Sequence, residues 1–166
     1  MPVWGYFVIG FVIISLVLLT ARRNQVAYHE AAVDYGADFR LVIESAVPAV
    51  EEIQEALREA EPQALSRASA SARTRIHANI SNLDRLGFAE SMDPEMSALL
   101  ENLRLMLRQA MENYEWAARI SETTDLLENG GLRRAFDSLV ASGDQLCVEA
   151  RFQLMGLRPD AEDSPA

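Results

Sequence analysis

The stretch from Val3 to Ala21, VWGYFVIGFVIISLVLLTA, carries no charged residue and ends against Arg22 and Arg23. A helix of that length rises about 28 Å, and the hydrocarbon core of a bilayer is about 30 Å thick. Trp4 and Tyr6 stand near one end of the run, where amphipathic rings favour the headgroup level. A cleaved signal peptide would have a basic start, a shorter apolar core and a small-x-small cleavage site. Nothing basic precedes this run and its core is long, so the expectation is an uncleaved anchor in contact with lipid over residues 3–21. The positive-inside bias of Arg22 and Arg23 then sets the N-terminus outside and the following residues in the cytoplasm. The run holds no ionisable group, hence no proton relay, and Gly5 and Gly10 do not have GxxxG spacing.

Composition narrows what the rest can bind. The 166 residues include 25 Asp plus Glu against 15 basic residues, all of them arginine, for a net charge of −10. Such a surface repels phosphate, which argues against nucleic acid and against a bundle lying flat on anionic lipid. One cysteine, Cys147, allows no intrachain disulfide and fits a reducing compartment. Arginine in place of every lysine, beside abundant alanine, suggests a GC-rich bacterial genome and thus a bacterial inner membrane.

After Arg23 the periodicity is helical throughout. Ala32, Gly36, Phe39, Ile43, Ala46, Val50, Ile53, Leu57 and Ala60 step by alternating four and three, a heptad seam interrupted by Pro48, where a kink is expected. Leu65, Ala68, Ala72, Ile76, Ile80 and Leu83 form a second stripe. It opens at Pro62 and closes at Gly87, read as a left-handed cap with Phe88 meeting Leu83. Asp93 and Pro94 open a third helix with a stripe from Met96 through Leu103, Ala110, Tyr114 and Ala117 to Leu127, ended by the Asn129–Gly131 "NGG". A fourth runs through Leu132, Phe136, Leu139, Leu146 and Ala150 to Met155, with Gly143 as a weak point and Gly156 as its cap.

The reading is therefore all-α: a single N-terminal transmembrane helix followed by an antiparallel up-down-up-down four-helix bundle. The divisions are an anchor at 1–23, a bundle at 24–157 with helices at about 24–60, 63–86, 94–128 and 132–155, and a disordered acidic tail at 158–166. Charge supports that order. Residues 24–61 hold nine acids and two arginines (net −7), and residues 62–91 two acids and four arginines (net +2). Residues 92–129 hold eight acids and three arginines (net −5), and residues 130–158 three acids and four arginines (net +1). Adjacent helices of an up-down-up-down bundle then have opposite sign.

No chemistry-bearing motif appears. His29 and His77 lack the Glu-x-x-His context of a di-iron site, and no c-type haem motif, phosphate loop, zinc motif or Ser-His-Asp set is present. Cys147 reads as a buried core thiol, and Met96, Met106 and Met111 as core filler. Glu51, Glu52, Glu55 and Glu59 read as a solvated acidic face partly paired with Arg58. In LSRASASARTR, Arg67, Arg73 and Arg75 are the candidates for docking a partner's acidic surface, while the small residues suit close helix packing.

The expected function is a membrane-anchored accessory or scaffold subunit that acts by protein–protein binding within an integral membrane complex, without catalysis or cofactor. The alternatives are a periplasm-facing four-helix sensor or ligand-binding bundle, and a homo-oligomeric coiled coil that uses the same seams between chains.

Overall fold

The computed structural model describes residues 35–87, 92–123 and 126–156, in which four helices and no strands occur. The apolar run at 3–21, with Trp4, Tyr6, Arg22 and Arg23, lies outside the described residues, as do His29 and the acidic tail. Among the described residues no helix is long and apolar enough to cross a membrane. Helix α1 occupies 35–59 of the described chain; α2 is Pro62–Arg85, α3 Pro94–Ser121 and α4 Gly130–Gly156.

The polar contacts show how the helices lie. Tyr35 at the start of α1 donates from its hydroxyl to the carbonyl of Gly87 after α2 (2.8 Å), and Asn79 Nδ2 donates to the Val42 carbonyl (3.3 Å). Ser69 near the start of α2 meets Ser121 at the end of α3 (2.7 Å), and Asp84 near the end of α2 meets Arg108 of α3. Asn113 and Tyr114 of α3 reach Ser142 and Asp144 of α4. A Cβ at Gly36 would stand 3.9 Å from Leu154 Cδ2, so the end of α4 returns to the start of α1. Each of these pairings runs antiparallel, and α4 closes on α1.

The turns follow from local chemistry. Ala60 has φ 53°, the left-handed conformation that ends α1. Glu61 is held extended (φ −98°, ψ 111°), as the residue before a proline must be, and Pro62 opens α2. Asp93 caps α3 by accepting from Met96 N (3.4 Å), with Pro94 in the first turn.

Several expectations need correction. The helix passes unbroken through Pro48, which is exposed, so the carbonyl that loses its partner can be hydrated. Gly87 is no left-handed cap: among the described residues no glycine has a positive φ, and Leu86 N closes α2 on Leu83 O (3.3 Å). α3 stops at Ser121 rather than near 128. There the hydroxyls of Ser121 and Thr123 bond back to the carbonyls of Ala118 and Ile120 (2.8 and 2.6 Å), the competition with helix that such residues offer. Asn129 does not end α3 but caps α4, its Oδ1 accepting from Gly131 N (2.9 Å) and Leu132 N (3.2 Å).

The core contains the α1 seam from Phe39 to Leu57, Leu65, Ala72, Ile76 and Leu83 of α2, and a broad stripe of α3 that adds Leu100, Leu107 and Met111 to Leu103 and Tyr114. On α4 the interior line is Phe136, Val140, Gly143, Cys147, Ala150 and Leu154, whereas Leu139 and Leu146 are half-buried and Met155 is exposed. Gly143 is not a weakness. A Cβ there would lie 2.7 Å from Tyr114 Cδ1 and nearer still to Cε1, so the fully buried Tyr114 ring occupies the space that a side chain at 143 would need.

Two outcomes follow, each read by urea or thermal unfolding. Gly143→Ala is expected to lower stability by roughly 1–3 kcal/mol through overpacking, despite the better helix propensity of alanine. That cost should shrink when Tyr114→Ala is introduced with it, as a double-mutant cycle would show. Ala60→Gly is expected to raise stability by about 1 kcal/mol, by relieving the left-handed strain.

Candidate functional site

A polar cluster forms at the edge of the core where Tyr114 crosses α4. Its ring is buried against Gly143, and its hydroxyl donates to Asp144 Oδ1 at 2.6 Å. The same oxygen lies 3.7 Å from Cys147 Sγ. A phenol has a single proton and here it goes to the carboxylate, so the sulfur contact is the weaker of the two. Burial, then the bond to Asp144, pushes the Tyr114 ionisation far above its ordinary range. Burial also pushes the Cys147 thiol up, and Asp144 adds to this, against the opposing influence of the Tyr114 hydroxyl and Arg151. Both groups are held neutral. A thiol kept protonated in this way is a packing group with low nucleophilicity.

Beside this cluster a groove of about 220 Å³ runs between α1 and α4, lined by Val47, Glu51, Gln54, Asp144, Cys147 and Arg151 among others. Toward the start of α1 a second groove of about 290 Å³ is lined by Arg40, Glu44, Arg151, Leu154 and Met155. A third, of about 460 Å³, lies between α1 and α2 and is bordered by Asp38, Leu41, Asn79, Asn82, Arg85 and Leu86. All three are open to solvent along helix seams. Among the described residues no group of three or more His, Cys, Asp or Glu side chains could hold a metal ion, and His77 stands exposed.

The arginines singled out in the sequence take different roles. Arg73 pairs with Glu122 just past α3 (2.6 Å), and Arg75 pairs with Glu52 of α1 (2.6 Å) and contacts Ser71 (3.0 Å). Both tie α2 to its neighbours. Among the described residues Arg67 reaches only the Gln63 carbonyl on its own helix (3.3 Å), and it remains exposed. The structure does not gather the three at one point. On α1, Glu55 pairs with Arg58 (2.7 Å). The small residues of α2 do pack closely: Ser69 and Ser121 are both buried, each hydroxyl also reaching a carbonyl, Leu65 O and Ala118 O. Two protons serve three contacts there, so one serine donates to its carbonyl while the other donates to its neighbour.

The sequence reading did not find Arg40 and Arg151, which line one groove from two helices. No ion pair engages either of them among the described residues. Their sequence separation hid the pairing, since only the return of α4 to the start of α1 places them together. Compared with models of known protein families, with curated proteins and with solved structures, the chain gives no match.

The raised Tyr114 and Cys147 ionisations set a pH dependence. Unfolding releases both groups to their ordinary values, so the unfolded chain loses protons at high pH that the folded chain keeps. This contribution is complete below pH ~8.5 and is lost as pH rises through the ordinary Cys and Tyr ranges, about 8.5 and 10. The melting temperature is accordingly expected to fall between pH 9 and 11 by scanning calorimetry, roughly the window these groups define. Tyr114→Phe should flatten that decline while lowering stability near neutrality by about 1 kcal/mol through the lost hydrogen bond.

Proposed function

We propose that this chain is a membrane-anchored helical scaffold or accessory subunit, acting by protein–protein binding within a larger membrane complex and catalysing no reaction itself. Residues 3–21 cross the bilayer once, Arg22 and Arg23 hold the following residues on the cytoplasmic side, and the bundle stands at the inner face of a bacterial inner membrane. The observation that carries this reading is the uncharged run Val3–Ala21 closed by two arginines and followed by a chain of four helices.

The interior of the bundle favours binding over chemistry. Several of its polar groups are spent on tying helices together: Ser69 on Ser121, Asn79 on the Val42 carbonyl, and Tyr114 on Asp144. Pairs of this kind fix helix register, and the two raised ionisations belong to groups engaged in that packing. What such a domain presents to other molecules is its outer surface.

The test is affinity purification of the full-length protein from its native membranes in mild detergent, with identification of everything that co-elutes. A companion membrane protein at fixed stoichiometry is the expected result. Elution of this chain with no other protein would remove the accessory-subunit reading. Topology is read separately from a C-terminal alkaline phosphatase fusion, which is expected to be inactive; activity would place the bundle on the periplasmic side.

A further inference from the structure

Val148, Phe152 and Met155 form an exposed apolar stripe on α4. The groove of about 460 Å³ between α1 and α2 is of another kind, because polar groups line it from floor to rim. At its floor is Asn79, only 6 % exposed, and its rim carries Asp38 of α1 and Arg85 of α2, both exposed. Small-molecule sites are clefts of roughly 300–1,000 Å³ in which a few convergent polar groups fix the ligand.

Asn79 is only half engaged. Its Nδ2 donates to the Val42 carbonyl (3.3 Å), while its Oδ1 accepts nothing among the described residues. Among those residues the fully buried side-chain polar atom without a partner is Gln153 Oε1, so Asn79 Oδ1 is not sealed from solvent. It is reached from the groove that its residue lines. A carbonyl oxygen held open at the bottom of a groove is an acceptor for a donor brought from outside.

The rim is equally unengaged. Neighbouring charges on α2 have found partners on other helices: Arg75 pairs with Glu52, and Asp84 with Arg108. Among the described residues no ion pair engages Asp38 or Arg85, although both border one groove. Register brings these groups together. The Tyr35–Gly87 and Asn79–Val42 bonds set α1 antiparallel to α2. From the second bond toward the Tyr35 end, Asp38 stands ~6 Å along α1, and Asn82 and Arg85 stand ~4.5 and ~9 Å along α2.

We infer that this groove binds a free α-amino acid with an apolar side chain. A lone anion is repelled by Asp38 and a lone cation by Arg85, whereas a zwitterion satisfies both walls. Its ammonium has three N–H donors, for which the Asp38 carboxylate and Asn79 Oδ1 are the acceptors. Its carboxylate takes the Arg85 guanidinium and the Asn82 amide. The two charges of an α-amino acid sit on one carbon and its attached carboxyl, which suits opposite groups placed so close along a seam. Leu41, 62 % exposed, and Leu86 then receive the apolar side chain. The site requires neither an anchor nor a second protein, so it goes beyond the scaffold reading and is tested apart from it.

The experiment is titration of isotope-labelled full-length protein, in mild detergent, with L-leucine, followed by nuclear magnetic resonance through the side-chain amides of Asn79 and Asn82. Groups this exposed contribute little each, so saturation is expected with a dissociation constant on the order of 1 mM. Two further probes each lack one charge: isopentylamine has no carboxylate, and isocaproate has no ammonium. Each is expected to bind about fivefold more weakly or worse, the value of one exposed charge pair. Asp38→Asn and Arg85→Gln alter exposed side chains outside the core, so an unchanged melting temperature is expected of both. Each should weaken L-leucine binding by about the same factor. Glu44→Gln, which removes the same charge from α1 at a different groove, should leave it unchanged. Absence of a saturable shift at ~50 mM L-leucine overturns the inference. Equal binding of isopentylamine or isocaproate overturns it too, since only the apolar wall would then be in use. Full binding by both variants does the same.

Discussion

The bundle depends most on the approach of the Tyr114 ring to the backbone of α4 at Gly143. The contact is possible because position 143 has no Cβ, and it is fixed because the phenol is tied to Asp144 one residue on. A tyrosine buried in this way removes a large apolar area from water while leaving its polar tip at the helix seam. The pair thus sets two quantities together, the distance between α3 and α4 and their register. Asn113 and Ser142, one residue earlier on each helix, meet at 3.1 Å and are consistent with the same register. Cys147, a turn further on, is buried with its Sγ 3.7 Å from the hydroxyl. Substitution at any one of these positions is felt at the others.

Elsewhere register is set by single buried polar ties, and charge has a smaller part. Asn79 on the Val42 carbonyl aligns α1 with α2, and the Ser69–Ser121 pair aligns α2 with α3. Leaving one partner of such a tie unsatisfied costs about 1–3 kcal/mol, whereas an exposed ion pair contributes at most about 1 kcal/mol. Among the described residues the ion pairs that cross between elements, Arg73–Glu122, Arg75–Glu52 and Arg108–Asp84, all involve α2. They are partly exposed, so their value is in choosing neighbours: a basic helix between two acidic ones.

What could be read in the sequence followed from which residues carry the signal. Large apolar groups at regular spacing located α1 and α2, since Phe39, Ile43, Ile53, Ile76 and Leu83 are the core residues themselves. The stripe on α4 was read correctly at Phe136, Ala150 and the core thiol Cys147, but its line was drawn through Leu139 and Leu146 because Gly143 has no side chain for a hydropathy reading to register. The eye is drawn instead to Leu139, Leu146 and Met155 on its flanks. The end of α3 was overextended because Leu127 continues the stripe by spacing, while the hydroxyls of Ser121 and Thr123 compete for helix carbonyls. Charge alternation anticipated the pairing of α2 and was uninformative for α4. There three arginines and three acids are distributed around the helix, and the hydrogen bonds with α3 run from the Asn113 amide to Ser142 and from the Tyr114 phenol to Asp144. Of the arginines chosen as partner-binding candidates, two proved to be cross-helix ties. That could not be known before α2 was set against Glu52 and Glu122.

A helix whose interior line uses small residues can lie close to its neighbours, and that closeness has a consequence for its outer surface. Gly143, Cys147 and Ala150 lie on the buried line of α4, while the larger Val148, Phe152 and Met155 stand exposed on its flank. The same arrangement places them at the end of the bundle where Tyr35 bonds to Gly87 and Gly36 meets Leu154. That end is braced by the start of α1, the end of α2 and the end of α4 together, next to the segment that leads to the apolar run. The packing that fixes α3 on α4 and the exposure of the α4 stripe are thus two results of one choice of residues, small inside and large on the flank.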